Sequence, residues 1–159
     1  MLQTTLTIKV FDNTNKPDTK ERQAIIDFLF DNLEDYGDPK YQIGQAVAYA
    51  LEEKGSLGGF LLVSYCIAEG VTAEPEISGA VVINKTGMAD YIPDNILVYI
   101  ATHKGQRGKG IGKTLLKKAI ELAEGDIALH VEPRNPAKQL YERLGFTNKY
   151  LEMRYKKEV

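Results

Sequence analysis

The sequence predicts one domain of mixed helices and strands, α/β or α+β in class, and three observations carry that reading. Strand-like runs rich in Val, Ile, Leu, Thr and aromatic residues recur at 4–11, 59–68, 76–84, 96–101 and 127–131. Stretches with apolar residues at helical spacing lie between them. A chain of 159 residues, 43% hydrophobic and 26% charged, suits a single domain with a substantial core.

Each element follows from local pattern. Residues 4–11 alternate loosely and form the first strand. After a turn from Asn13 to Pro17, Asp18 or Thr19 caps a helix that runs to about Glu34, with Ile25, Phe28, Leu29 and Leu33 on one face. Asp35-Tyr36-Gly37-Asp38-Pro39 breaks it. A second helix carries Ile43, Val47, Ala50 and Leu51 and ends near Gly55. Strands at 59–68, 76–84 and 96–101 have little polar interruption, as expected of a sheet covered on at least one face. From Arg107 a helix turns Ile111, Leu115, Ala119, Leu122 and Ala123 inward and Lys109, Lys113, Lys117, Glu121 and Glu124 outward, and Gly125 stops it. A strand at 127–131, a short helix at 136–144 ended by Gly145, and a last strand at 147–157 complete a predicted order of βααβββαβαβ. There is no internal repeat or low-complexity segment.

Composition excludes several function classes. A net charge of -2 lacks the basic excess of a nucleic-acid footprint. Cys66 is the single cysteine, so no intramolecular disulfide and no Cys-based metal site is expected, and it reads as an inert thiol buried in an apolar strand. No metal-ligand cluster and no Ser-His-Asp spacing stands out. Met1 to Thr5 lack the basic start and apolar run of a leader, and no stretch approaches the roughly 20 apolar residues of a membrane span. The expectation is a soluble cytoplasmic protein with neither a membrane nor a nucleic-acid partner.

The most informative segment is Arg107-Gly108-Lys109-Gly110-Ile111-Gly112, set between a strand and an amphipathic helix. The first N–H groups of a helix have no internal partner, and the macrodipole leaves that end partly positive. Glycines clear side chains away from those donors, while Arg107 and Lys113 can add charge-assisted contacts. The combination points to a phosphorylated ligand. Gly112-Lys113-Thr114 looks like the end of an ATP or GTP P-loop, but that motif needs glycine where Arg107 stands. A dinucleotide fingerprint has Gly-x-Gly-x-x-Gly spacing, whereas these glycines fall at every second residue. A glycine-rich turn without a ligand is the third alternative, and three glycines there would only weaken the helix.

The same residues resemble the pyrophosphate-binding motif of the GNAT superfamily of acyl-CoA-dependent N-acyltransferases, with Arg107, Gly110 and Gly112 at the matching positions. The strand order is similar as well. The resemblance implies a mixed, mostly antiparallel twisted sheet with splayed central strands and helices on both faces. It also implies acetyl-CoA as acyl donor, bound by the strand edge at Ile100, Ala101 and Thr102 and by Arg107, Gly108, Lys109, Gly110, Ile111, Gly112 and Lys113. The family's second signature is a strand, an Asn, a short helix with a Tyr, and Gly-Phe, matched here by Asn135, Tyr141, Gly145 and Phe146. Counted from the strand, Asn135 takes the family's Asn position for contact with the CoA arm; counted back from Tyr141 it lies one residue too close.

The implied chemistry is direct attack of an amine on the thioester carbonyl. Backbone N–H groups near Ile100 to Thr102 would stabilise the charge that develops on the oxygen. Tyr141 would protonate the thiolate, whose conjugate acid in an ordinary thiol has a pKa of about 8.5. The general base stays open. Many relatives carry Glu on the strand before the turn, but Asn95 to Ala101 contains no carboxylate. His103, His130 and a water relay to a distant carboxylate are the alternatives. Asp31, Glu34, Asp35 and Asp38 form either a solvated face or a border to a cationic acceptor. Tyr36 and Tyr41 beside them line a pocket or pack. The acceptor is expected to be a small-molecule or protein amine, and a homodimer is compatible, since many relatives are dimers. A non-catalytic acyl-CoA-binding sensor is the rival function, kept open by the missing strand carboxylate.

Overall fold

A computed structural model describes residues 4–68, 70, 72 and 74–158; Met1 to Gln3, read above for a leader, lie outside them. The elements are β1 (Thr4–Phe11), α1 (Thr19–Leu33), α2 (Lys40–Ala50), β2 (Gly59–Ala68), β3 (Glu76–Lys85), β4 (Asn95–Thr102), α3 (Ile111–Leu122), β5 (Ile127–Leu129) and α4 (Ala137–Arg143), with 3-10 turns at Glu34–Tyr36 and Lys104–Gln106. They fall into two compact units, Met1–Leu129 and His130–Val159.

The first unit holds a five-stranded open sheet in the order β1-β2-β3-β4-β5. The first three pairings are antiparallel and β4 with β5 is parallel. A parallel neighbour needs a crossover, and α3 supplies it. Helices cover both faces. On one, Ile25, Phe28 and Leu29 of α1 and Ile43, Val47 and Ala50 of α2 pack with Leu61, Val63, Ala80, Val82, Tyr99 and Ala101 of the sheet. On the other, Ile111, Leu115, Leu116 and Ala119 of α3 are buried, and the place where a Gly79 side chain would stand is filled by Leu115 and Ile111. Each fully buried Leu, Ile or Val contributes about 1.5–3 kcal/mol.

Several boundaries differ from expectation for identifiable reasons. The cap of α1 does not differ: of the two expected residues it is Asp18, its side chain accepting from the Glu21 N–H at 2.7 Å. The second helix ends at Ala50 rather than near Gly55, because Glu52, Lys54 and Gly55 take left-handed φ values of 60, 55 and 76°. The third helix begins at Ile111 rather than Arg107, since Gly108 and Gly110 both have φ of 81°. β5 stops at Leu129, short of Val131. The strand expected at 147–157 is absent. Tyr150, Leu151, Met153 and Tyr155 are 77–90% exposed, and alternation makes no strand without a neighbour to share its hydrogen bonds. Among the described residues no helix is long and apolar enough to cross a membrane.

Candidate active site

The site starts where β4 and β5 part. Asn95, 2% exposed, opens β4 and ties it to the chain entering β5: its Nδ2 donates to the carbonyls of Glu124 at 2.9 Å and Asp126 at 3.2 Å. The parallel pairing then lasts three residues and ends at Leu97 with Leu129. There β4 carries an extra residue. Val82 pairs with Tyr99 and Ile83 with Leu97, leaving Val98 as a bulge. A bulge bends its strand and increases the local twist. Here it also puts Val98 and Tyr99 both against the α1/α2 core.

Beyond the bulge, no described strand pairs with the outer edge of β4. The His103 N–H donates to the Ser78 carbonyl at 2.9 Å. Bonded pairs alternate in an antiparallel ladder, so Ala101 and Tyr99 also direct their backbone groups at β3. The N–H and C=O of Ile100 and Thr102 therefore point to the vacated edge. Of the three strand residues expected in the site, Ala101 has its backbone groups committed to β3.

The turn after β4 is clamped to α1 by a residue the sequence did not single out. Buried Asn32 donates from Nδ2 to the Phe28 carbonyl at 2.9 Å and accepts the Lys104 N–H on Oδ1 at 3.0 Å. Arg107 bonds the Asn32 carbonyl through Nη2 at 2.9 Å and lies 3.8 Å from Glu34 Oε1. Its guanidinium thus sits at the negative end of α1. His103 caps the turn by accepting the Gly105 N–H on Nδ1 at 3.0 Å, and its ring stacks on Phe28 with centroids 6.4 Å apart. That ring nitrogen is occupied, so His103 organises the loop.

Gly108 and Gly110 then bring the chain to α3 through left-handed conformations that any other residue adopts at a cost. Gly110 offers no side-chain cap, and the first bond inside the helix runs from the Thr114 N–H to the Gly110 carbonyl at 3.0 Å. The N–H groups of Ile111, Gly112 and Lys113 remain as uncapped donors. Lys109 and Lys113 are exposed beside them. Gly79, paired with Thr102, lets this end of α3 seat on the sheet: a Cβ there would stand 2.5 Å from Leu115 Cδ1 and 3.1 Å from Ile111 Cγ2. Leu6, Cys66, Gln106, Lys109, Ile111 and Thr114 line a cavity of about 170 Å3 at the turn. Cys66, expected to be buried, is only partly so.

A larger recess, about 620 Å3, lies at the C-terminal end of α1 and the linker that follows it, and is lined by Phe30, Asp31, Glu34, Gly37, Asp38 and Lys104 among others. Three of the four expected carboxylates line it; Asp35 does not. Tyr36 and Tyr41 are not among its lining residues, and both are exposed. One wall residue, Asp38, is tied to the sheet by Tyr99, 7% exposed, whose hydroxyl donates to Asp38 Oδ2 at 2.6 Å. Burial first, and the Asp38 carboxylate second, hold the Tyr99 hydroxyl above its usual range.

In the second unit, Asn135 Oδ1 accepts the Ala137 N–H, the first of α4, at 3.0 Å. Tyr141 is buried on α4 with its ring 5.8 Å from that of Phe146, and burial pushes its hydroxyl up to about 12. His130, expected mid-strand, follows the end of β5 and is exposed.

Residues 64–148 match the family model of the acetyltransferase (GNAT) domain. A search of curated protein sequences returned no significant match. Solved structures share the fold at low identity. An aminoglycoside N-acetyltransferase in complex with CoA aligns with TM-score 0.64 and 14% identity over 99% of this chain and 97% of its own. A ribosomal-protein-alanine N-acetyltransferase from Brucella melitensis biovar Abortus 2308 gives 0.57 and 16% over 96% and 99%. The NatC complex bound to Gag peptide and CoA gives 0.66 and 20% over 91% and 86%. The matched segment spans more than half of the 159 residues and includes the strand edge, the glycine turn and α4, so this chain belongs to the GNAT acetyltransferase family.

Proposed function

We propose that the chain acts as one acyltransferase domain, moving an acetyl group from acetyl-CoA to a primary amine that attacks the thioester directly. The observation that carries this reading is the pairing of a vacated strand edge at Ile100 and Thr102 with an uncapped, glycine-lined helix start. The edge suits an extended amide-bearing arm and the helix start suits a pyrophosphate. The left-handed Gly108 and Gly110 have open space where a Cβ would be, so they fit such a group. Within the turn, backbone N–H groups from Gly110 to Lys113 and the ammonium groups of Lys109 and Lys113 hold the phosphates, while Arg107 fixes the loop to α1. Asn135 meets the CoA arm through Nδ2, its oxygen being bonded to the Ala137 N–H. Family membership and CoA-bound structures of the same fold support the donor.

Tyr141 assists departure of the thiolate. With its hydroxyl near 12, it stays protonated at neutral pH. Complete transfer to a thiolate whose conjugate acid is near 8.5 is uphill by about 3.5 pKa units, roughly 5 kcal/mol. The role is therefore hydrogen-bond donation to the developing sulfur anion, with the final proton drawn from water. Tyr141→Phe is expected to lower kcat about 10-fold or more and leave CoA affinity nearly unchanged. The wild-type rate should show no Tyr141-linked loss as pH approaches 10. A variant that weakens CoA binding while keeping kcat refutes the role.

The absence of a carboxylate within β4 favours a second reading, a non-catalytic acyl-CoA sensor. Release of free CoA thiol from acetyl-CoA with a panel of primary amines separates the two: stabilisation by acetyl-CoA without turnover on any amine selects the sensor. Absence of stabilisation by any CoA refutes both.

A further inference from the structure

β4 lacks a carboxylate of its own but holds one by a hydrogen bond. Tyr99 stands immediately after the bulge and one residue before Ile100, whose N–H faces the vacated edge. Its side chain crosses the α1/α2 layer and ends at Asp38, 2.6 Å away on the wall of the recess. Since burial keeps the Tyr99 proton in place, Tyr99 is the donor and Asp38 the acceptor. Asp38 is exposed, and its Oδ1 has no partner among the described residues.

The other candidates are less suited. Glu34 lies 3.5 Å from Lys104 Nζ and 3.8 Å from Arg107 Nη1, so its charge is already paired. Asp31 lines the recess without a bond to the sheet, and Asp35 is not in the wall. His103 has its Nδ1 occupied. Among the described carboxylates, only Asp38 is tied by a direct side-chain bond to β4, the strand proposed to present the thioester edge.

We infer that Asp38, held in place by Tyr99, is the general base that takes the proton from the attacking amine. Given acyl transfer as proposed above, the neutral amine enters from the recess and its nitrogen forms the new bond to the carbonyl carbon. The carbon–sulfur bond breaks and sulfur leaves with the electron pair. Nitrogen sheds one proton to Asp38, directly or across one water, and Asp38 returns it to solvent. A tyrosine side chain and one hydrogen bond separate the carboxylate from the β4 backbone. Tyr99 is a positioning residue.

The test uses the full chain with acetyl-CoA and the fastest acceptor among 1,4-diaminobutane, glucosamine and a lysine-containing peptide. Asp38→Asn, which keeps a partner for Tyr99, is expected to lose about 100-fold or more in kcat, with amine KM within about threefold and the thermal shift by acetyl-CoA unchanged. In Asp38→Ala, added formate restores kcat saturably, whereas Asp38→Asn shows no rescue. Tyr99→Phe loses about 10-fold in kcat and keeps its acetyl-CoA thermal shift. The assignment is overturned if Asp38→Asn keeps wild-type kcat, if its defect lies wholly in amine KM, or if formate fails to rescue Asp38→Ala. A wild-type chain that turns over no amine overturns acyl transfer and this assignment together; wild-type turnover with an unimpaired Asp38→Asn overturns the assignment alone.

Discussion

Gly79→Ala tests how the uncapped, glycine-lined start of α3 is seated on the sheet. The added methyl would stand 2.5 Å from Leu115 Cδ1, 2.9 Å from Ser64 Oγ and 3.1 Å from Ile111 Cγ2. Carbon atoms settle at about 3.5–4.0 Å, so Leu115 must retreat by about 1 Å or more. It is fully buried and has nowhere exposed to swing. Overpacking of this kind costs about 1–3 kcal/mol. For a chain of this length each 1 kcal/mol lowers Tm by about 2–4 °C, so a drop of about 2–12 °C is expected. Ile111 supplies one of the uncapped N–H groups, so lifting it should also weaken CoA. The assay is thermal and urea unfolding with CoA titration, applied to Gly79→Ala, Leu115→Ala and the double variant. Truncating Leu115 alone costs about 2–5 kcal/mol, but it opens the space that the new methyl needs. The double variant should therefore be less destabilised than the sum of the two by about 1 kcal/mol or more. A Gly79→Ala chain that melts within about 1 °C of wild type, or strict additivity in the double variant, refutes the account.

Other perturbations probe the remaining parts. Gly110→Ala meets no atom within 4 Å, so its cost is the left-handed conformation alone, about 1–2 kcal/mol in urea unfolding, with weaker CoA binding by calorimetry. Asn32→Ala removes the acceptor of the Lys104 N–H and is expected to cost about 1–3 kcal/mol, with hydrogen exchange rising across residues 103–107. Glu53 is held at about 2, below its ordinary 4.5, chiefly by the two-pronged bond from Arg22. Its contribution is complete above about pH 4.5 and is lost as pH falls through about 2. The pair is partly solvent-exposed, so Glu53→Gln should cost only about 0.5–1 kcal/mol at pH 7, and urea unfolding should show that difference shrinking below pH 4.5.

Local chemistry made much of this legible. The strands at 4–11 and 59–68 have the bounds their apolar pattern predicts, because a covered sheet demands such runs. The glycine turn was recognisable because left-handed backbone and uncapped donors call for glycine at fixed positions. The strand expected at 147–157 shows the limit of pattern, since its residues alternate as required but have no neighbour to pair with. Gly79 was invisible for the opposite reason. Its φ is unremarkable, and only the close approach of Leu115 and Ile111 explains it.

By itself the sequence determined a mixed sheet-and-helix chain, a glycine-rich turn at residues 107–112 ahead of a helix and the likeness to acyl-CoA transferases. These rest on residue type and short spacing, which act within one or two turns of chain. Only the tertiary structure decided that β4 bulges at Val98 and loses β5 after Leu97, freeing the backbone of Ile100 and Thr102. It also turned Arg107 toward α1 and brought Tyr99 to Asp38. Those features depend on groups far apart along the chain meeting within hydrogen-bond distance, and no local pattern of residues records such a meeting.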